Sequence, residues 1–453
     1  MKKLGAINRR DLLVGATAAL AGAGASTAAG ATETHIHPSA RSSKVSVAPG
    51  DIINLGIVGV AGRGTSHLHW FGQHPDVRFV AVCDVYEEHR NAAAAYITSK
   101  TGAPKLYSDF RRMMEDKDVD AVIVSTPPHW HPLVTLAALE AGKDVYCEKP
   151  MCRYPNEGRA MLELALRHRR VTQVGTQIHA TANYHKCVDV VRSGKLGAIT
   201  AVRNFCTMDD NSEGLDHPPN ATPLEGLDWN FWLGPAPEVP FNMGRFRDGM
   251  HRYFKDYVDS WLHELGPHIV DLPFWALKLG HPLAVSASGG RFATDSIADV
   301  PDTLDVLWEY PEFNVTWTLM QQNAYYFGVG GAGGGRRLGI TFHGKERTLV
   351  ANYDLCDVFD KNGAPVTDTY AKSVPDSPGH EREFLNAIKS REECSCSFRR
   401  HLPMHVAMNL AHSSYRLGRK LHWDAEKWEV TGDREATQLL TPPYRPPWKL
   451  PAA

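Results

Sequence analysis

The chain has 453 residues, 43% hydrophobic, 22% charged and 9% aromatic, with 38 Gly, 29 Pro and a formal net charge of −2. At about 100–200 residues per domain this length predicts two or three domains, and the composition excludes a disordered chain, a collagen-like repeat and a coiled coil. The near-neutral charge excludes the basic footprint of a nucleic-acid binder, and the eight cysteines form neither a disulfide scaffold nor a Cys/His zinc spacing, so no metal is expected.

Residues 1–31 read as an export signal rather than as fold. Lys2 and Lys3 precede Asn8-Arg9-Arg10-Asp11-Leu12-Leu13 and a mildly apolar Ala/Gly run, and paired arginines before Leu-Leu are the mark of the twin-arginine route. Ala23-Gly24-Ala25 and Ala29-Gly30-Ala31 both fit a cleavage site. Thr and Gly dilute the run too far for a span of ~20 apolar residues, so the expectation is a periplasmic protein with no stable membrane span after signal removal. Positions 32–50 read as a polar linker, 51–172 as a dinucleotide-binding domain and 173–453 as a second domain.

Ile52–Val58 is a β-branched apolar run, the pattern of a strand buried on both faces. It enters Gly59-Val60-Ala61-Gly62-Arg63-Gly64, and a helix is expected from Thr65. Glycines are needed where a chain turns tightly and a pyrophosphate approaches bare backbone at a helix N-terminus; Ala61 stands at the usual middle glycine. A second strand, Val77–Cys83, ends at Asp84, twenty residues after Gly64. At that spacing an acid reaches a ribose hydroxyl, and its charge repels a 2′-phosphate, so NAD is favoured over NADP.

The alternation continues with helix 87–99, a short helix near Asp109–Asp116, strand Ala121–Val124, the turn Ser125–His131, helix 132–141 and the strand from Asp144 into Glu148-Lys149-Pro150. Strands alternating with helices imply a doubly wound parallel sheet whose ligands lie beyond the carboxyl ends of its strands. His129, His131, Glu148 and Lys149 all fall at such ends. In the second half, Val306–Tyr310 and Val315–Leu319 alternate as strands joined by a turn, and Trp229, Trp232 and Trp261 fit a core better than a sugar platform. Gly328–Gly335 reads as a loop over the crevice, with Arg336 and Arg337 solvated, and the proline-rich tail from Thr441 to Ala453 as an extended strap.

Gly59–Gly64, Thr126-Pro127-Pro128-His129-Trp130-His131 and Glu148-Lys149-Pro150 together resemble the Gfo/Idh/MocA family, the glucose-fructose oxidoreductase and inositol dehydrogenase group. Val174–Gln177, Ser193–Gly197, Trp229–Pro235 and Arg416–Lys420 fit as well. The resemblance implies an N-terminal Rossmann domain and a C-terminal α/β domain with a large open, mostly antiparallel sheet that often pairs subunits, hence a homo-oligomer. It also implies cofactor contacts from Gly59, Ala61, Gly62, Arg63, Gly64, Asp84, Thr126, Pro127, His131, Glu148, Lys149 and Gln177. Lys149 would lie between nicotinamide and substrate, and Glu264-Leu265-Gly266-Pro267-His268 matches the family's Asp-x-Gly-x-His, with Glu for Asp.

Read as residues, Glu264, His268 and Asp271 are spaced to share one face of a helix starting near Glu264, where Pro267 is tolerated in the first turn. An acid one turn from a histidine fixes its tautomer, although such pairs are also common in packed helices. The expected activity is hydride transfer between NAD and a sugar, cyclitol or sugar-derived polyol, with Lys149, His268 and Glu264 catalytic and the cofactor tightly retained. The alternative is a redox-neutral, NAD-dependent glycosidase working by transient oxidation and elimination, and the third reading is a binding protein that uses NAD structurally.

Overall fold

In the computed structural model the first apolar run forms β1 (Ile53–Val58), and the helix after the glycine turn spans Arg63–Gly72, starting two residues before the expected Thr65. Residues 49–208, 215–247, 249–323 and 338–451 are described; the expected export signal, nearly all of the linker and the Gly328–Arg337 stretch lie outside them.

β2 (Val77–Cys83), β3 (Lys105–Tyr107), β4 (Ala121–Val124), β5 (Asp144–Glu148) and β6 (Thr172–Gly175) complete a six-stranded sheet in the order β3-β2-β1-β4-β5-β6. Every pairing is parallel. β4 and β5 are buried at every position, as the unbroken apolar runs require of strands covered by helices on both faces. The order reverses between β1 and β4, so a crevice opens beyond their carboxyl ends. The parallel sheet thus continues through Gly175.

The second sheet has ten strands, antiparallel throughout except where Asn314–Met320 runs parallel to Ile199–Thr207. Strand Thr303–Glu309 pairs with Asn314–Met320, placing Trp308 opposite Val315 and Val306 opposite Trp317. Their inward side chains are the apolar members of the period-two pattern, and they face the helix Phe398–Leu417, where Trp308 donates to the Ala407 carbonyl at 2.8 Å. Phe398 belongs to the core of the first sheet and Leu402 to that of the second, so one helix, capped by the Ser397 hydroxyl, fastens both sheets together.

Trp229, Trp232 and Trp261 are buried, the first two stacked with ring centroids 4.7 Å apart. The tail from 441 to 451 has neither helix nor strand and crosses the molecule as a strap: Trp448 packs edge-on to Trp130, and Arg445 donates to the Gly234 carbonyl at 2.9 Å. No helix among the described residues is long and apolar enough to cross a membrane.

The segment 264–271 departs from expectation. An α-helix spans Trp261–Leu265, a 3-10 turn Gly266–His268, and a new helix Asp271–Leu277. The first helix is capped by Ser260, whose hydroxyl accepts from the Leu262 N–H. Pro267 has no N–H to continue the ladder, so the helix ends before it instead of starting around it. Glu264, His268 and Asp271 therefore do not share a helix face.

Candidate active site

A cleft opens at the carboxyl ends of the first sheet, lined on one side by the glycine turn, Asp84, Thr126 and the Glu148-Lys149 pair. Trp232, Phe246, His251, Arg252 and Glu264 line the other side. The turn is built for close approach. Gly59 has φ +84°, and a Cβ on Gly64 would stand 2.1 Å from the Gly59 carbonyl oxygen. No side chain caps the helix Arg63–Gly72, so the N–H groups of its first turn other than that of Gly64, which donates to the Ala61 carbonyl at 2.8 Å, are placed to receive an anion. The buried Thr126 hydroxyl makes no hydrogen bond with a described residue. This glycine cradle, uncapped helix and unpaired donor fit a dinucleotide.

Asp84 lies where expected, but its carboxylate also builds the loop. One oxygen accepts from the Val60 N–H at 2.9 Å and the other from the Tyr86 N–H at 3.0 Å. Gly64→Ala is expected to weaken NAD binding at least about tenfold, since overpacking of this kind costs roughly 1–3 kcal/mol. Unchanged affinity in a cofactor titration would remove the cradle from the site.

Glu148, the last residue of β5, is buried and meets His67 Nε2 at 2.8 Å. Burial pushes its carboxyl up, but His67, Arg63 and Lys149 outweigh that and hold it at about 2. The sign follows: the depressed value stabilises the fold at any pH above the ordinary carboxylate range, and the gain is lost as pH falls toward 2. Gln177 donates to the Tyr146 hydroxyl at 2.8 Å and approaches Glu148 at 3.3 Å. It supports Glu148 from behind and is not among the described side chains lining the cleft.

Lys149 reaches across to the second half. Its Nζ donates to the Glu264 carbonyl at 2.7 Å and to Glu264 Oε1 at 3.0 Å, with both side chains buried. Arg252 approaches the same carboxylate at 3.3 Å. Burial pushes the Glu264 carboxyl up, and Lys149, Arg252 and His251 hold it well below the ordinary carboxylate range. Glu264 is thus the partner of Lys149, a correction to its expected role as the helix-face neighbour orienting His268.

His268 is 1% exposed, with Nδ1 3.2 Å from the Thr176 carbonyl. A ring nitrogen facing a carbonyl carries the proton, which makes Nε2 the basic atom. His131 sits in the cleft wall with Nδ1 2.7 Å from the Pro150 carbonyl and Nε2 2.8 Å from that of Thr126. Both nitrogens face backbone carbonyls; burial pushes the imidazole down, and the neutral ring donates to one of the two, so His131 joins the ends of β4 and β5. His129 and Trp130 both contact the Trp232 carbonyl, at 3.0 and 2.9 Å, and tie the two halves together.

Sequence reasoning missed His67, His251 and Arg252. His251 lines the cleft beside Lys149 and Glu264; burial, with Arg252 and Lys149, pushes its imidazole down to about 3, so it is neutral at physiological pH. The 3-10 turn Met250–Tyr253 that carries it has no motif to betray it. His67 lies four residues after Arg63 on the inner face of the first helix, and only that periodicity pointed inward.

Comparison with known proteins agrees with this fold. The model of the Gfo/Idh/MocA oxidoreductase family, NAD-binding Rossmann fold, matches residues 53–176, and that of the family's C-terminal α/β domain matches residues 355–450. Levoglucosan dehydrogenase of Pseudarthrobacter phenanthrenivorans is 25% identical over 319 residues, 67% of this chain and 75% of that protein. A glycosyl hydrolase family 109 protein of Shewanella baltica is 30% identical over 207 residues, 43% of this chain and 44% of that protein. Among solved structures, levoglucosan dehydrogenase with NADH and levoglucosan superposes with a TM-score of 0.60 at 18% identity, covering 82% of this chain and 99% of that one. The WlbA dehydrogenase of Bordetella pertussis, with NADH and UDP-GlcNAcA, gives 0.61 at 17% identity with the same coverage. With the matched Rossmann domain, the glycine cradle and the second sheet in place, the chain belongs to the Gfo/Idh/MocA oxidoreductase family, whose Rossmann fold binds NAD.

Proposed function

We propose that the protein oxidises or reduces a carbinol carbon of a sugar, cyclitol or sugar-derived polyol. The observation that carries this reading is the Lys149 ammonium, held by two oxygens of Glu264 in a cleft that begins at a dinucleotide cradle. Bound NAD supplies the hydride acceptor. Lys149 donates to the substrate oxygen and stabilises the charge that develops on it, while Glu264 fixes the direction of the ammonium. His268, which is not among the described residues lining the cleft, would take the hydroxyl proton, as its position in the family motif implies. Trp232 and Phe246 give the cleft apolar walls that exclude water from the charged pair. The sugar dehydrogenases among the relatives support the substrate class. If the twin-arginine leader exports the folded protein, a cofactor loaded beforehand and kept through turnover meets the need for NAD outside the cytoplasm.

Similarity to glycosyl hydrolase family 109 proteins favours one second reading, redox-neutral cleavage of a glycoside through transient oxidation. One experiment separates the two: purified protein, with its bound nicotinamide quantified after denaturation, is screened against free sugars and aryl glycosides. Net oxidation or reduction of a free sugar supports the first reading; cleavage without net redox change supports the second.

Cofactor choice provides a further check. Asp84→Ser should lower the preference for NAD over NADP at least about tenfold by removing a carboxylate from beside the 2′ position. The serine hydroxyl can still accept one of the two loop N–H groups. Equal binding of both cofactors by the unmodified protein would contradict the role given to Asp84.

A further inference from the structure

Behind the end of β6, four side chains from three separate segments converge: His179, Asp271, and the pair Cys396 and His401. Their exposures are 5%, 3%, 0% and 1%, and one ligand-type atom from each lies within 4.8 Å of all the others. His179 belongs to the 3-10 turn Ile178–Ala180, Asp271 opens the helix Asp271–Leu277, Cys396 precedes the helix Phe398–Leu417, and His401 sits in its first turn. The polar atoms are close but do not satisfy one another. His179 Nε2 lies 3.1 Å and His401 Nε2 3.5 Å from Asp271 Oδ2. Yet none of the imidazole nitrogens of either histidine, nor Asp271 Oδ2, makes an aligned hydrogen bond with a described residue.

Buried polar groups of a folded protein are almost always hydrogen-bonded, and leaving one unpaired is costly. Here one nitrogen of each histidine, Asp271 Oδ2 and Cys396 Sγ cluster within 4.8 Å of one another, and the two imidazoles and Asp271 Oδ2 find no aligned partner among the described residues. We propose that this cluster is a closed site for one divalent transition-metal ion of the zinc type. One sulfur, two imidazole nitrogens and one carboxylate oxygen form a tetrahedral donor set, and bonds of about 2.0–2.3 Å would set the donor atoms about 3.3–3.8 Å apart. A small inward movement from the observed spacing achieves that.

The charge balances too. A thiolate and a carboxylate offset the dication, so the buried site is neutral overall, and the Cys396 thiol proton passes to solvent as the metal binds. Magnesium and calcium are excluded by chemistry, since they require a shell of oxygens and the set offers a single carboxylate. Two features hold the ligands in place. Trp275 stacks on the His179 ring with centroids 3.9 Å apart, and Ser395, next to Cys396, is bound through its N–H and hydroxyl to Glu383. With every ligand buried and four protein donors present, the site leaves no position for substrate and is structural. It clamps the segment after Thr176 to the segment after His268, the two stretches whose Thr176 carbonyl and His268 ring already touch. No sequence spacing shows it: three of its four ligands are separated by long stretches of chain, so the absence of a Cys/His spacing said nothing about it.

The test uses the full chain without an affinity tag, purified without chelator. Elemental analysis is expected to find about one equivalent of zinc. After removal of the metal and addition of cobalt(II), the wild-type protein should show the visible bands of tetrahedral cobalt and a near-ultraviolet thiolate-to-cobalt band. Cys396→Ala should lose the thiolate band, and His401→Ala should weaken cobalt binding at least about tenfold. Should either variant fail to fold, the wild-type cobalt spectrum and the fall in Tm on metal removal still decide the matter. A folded wild-type protein that holds less than about a tenth of an equivalent of any transition metal and gives no cobalt spectrum overturns the site. Bands that persist unchanged in both variants overturn it equally. None of these readouts depends on the oxidoreductase reading.

Discussion

Lys149→Ala should reduce turnover by at least about 10²–10³-fold, the loss that follows removal of one preorganised donor to a developing oxyanion. Cofactor affinity should stay within about threefold, because the cradle at Gly59–Gly64 and the carboxylate of Asp84 lie at other strand ends. The variant also leaves Glu264 without its closest cation. Breaking a buried pair costs about 3–5 kcal/mol when one charge is stranded, but here Arg252 at 3.3 Å remains, so the fold should survive with a lowered Tm. Stopped-flow measurement of nicotinamide reduction, with bound NAD quantified first, checks the kinetic part. Full turnover by a variant that keeps its cofactor would show that Lys149 has only a structural pairing with Glu264. Lys149→Arg keeps the charge but carries a planar fork instead of a compact ammonium, and should restore stability without restoring rate.

The second large effect is expected at the proton acceptor. His268→Ala should lower turnover by about 10²–10⁴-fold, the range for a positioned acid–base group. The acid limb of the pH–rate profile should disappear with it, because that limb records protonation of the imidazole. His251→Ala is the necessary companion, since His251 is the neutral histidine that lines the cleft beside Lys149. It should raise KM through lost substrate contact while leaving the acid limb in place. The reverse pattern, with the acid limb lost in His251→Ala and kept in His268→Ala, would move the proton to His251 and make His268 a packed residue. Glu264→Gln should be intermediate. It keeps the hydrogen bond to Lys149 but removes the charge that balances both Lys149 and Arg252.

Much of this protein is decided locally. Unbroken apolar runs such as Ala121–Val124 become fully buried parallel strands, because only a sheet covered on both faces can hold them. The glycines after β1 and the acid after β2 mark the cradle, since each is needed for a backbone conformation or a short-range contact that its own neighbourhood specifies. Even the strap at the end is legible, because its prolines forbid helix and sheet ladder alike. The family motifs carry Lys149 and Glu264 as separate residues, but nothing local says that they meet. Their ion pair joins positions 115 residues apart, as His67 and Glu148 are joined over 81.

The break at Gly266–His268 shows the boundary most clearly. A regular i, i+4, i+7 spacing predicts one helix face, and Pro267 is compatible with a first turn; Ser260, a natural N-cap before Trp261, was the local sign that the helix begins earlier and must end where Pro267 withholds its N–H. The sequence by itself determined that β1, β2, β4, β5 and the pair Thr303–Glu309 and Asn314–Met320 are strands, where the chain turns for a dinucleotide, and that a lysine follows β5. Tertiary structure alone decided that Glu264 serves Lys149 rather than His268, that His251 enters the cleft, and that His179, Asp271, Cys396 and His401 converge. Those are contacts between side chains far apart along the chain, fixed by how two sheets and one shared helix pack, and periodicity within a segment holds no information about what lies across from it.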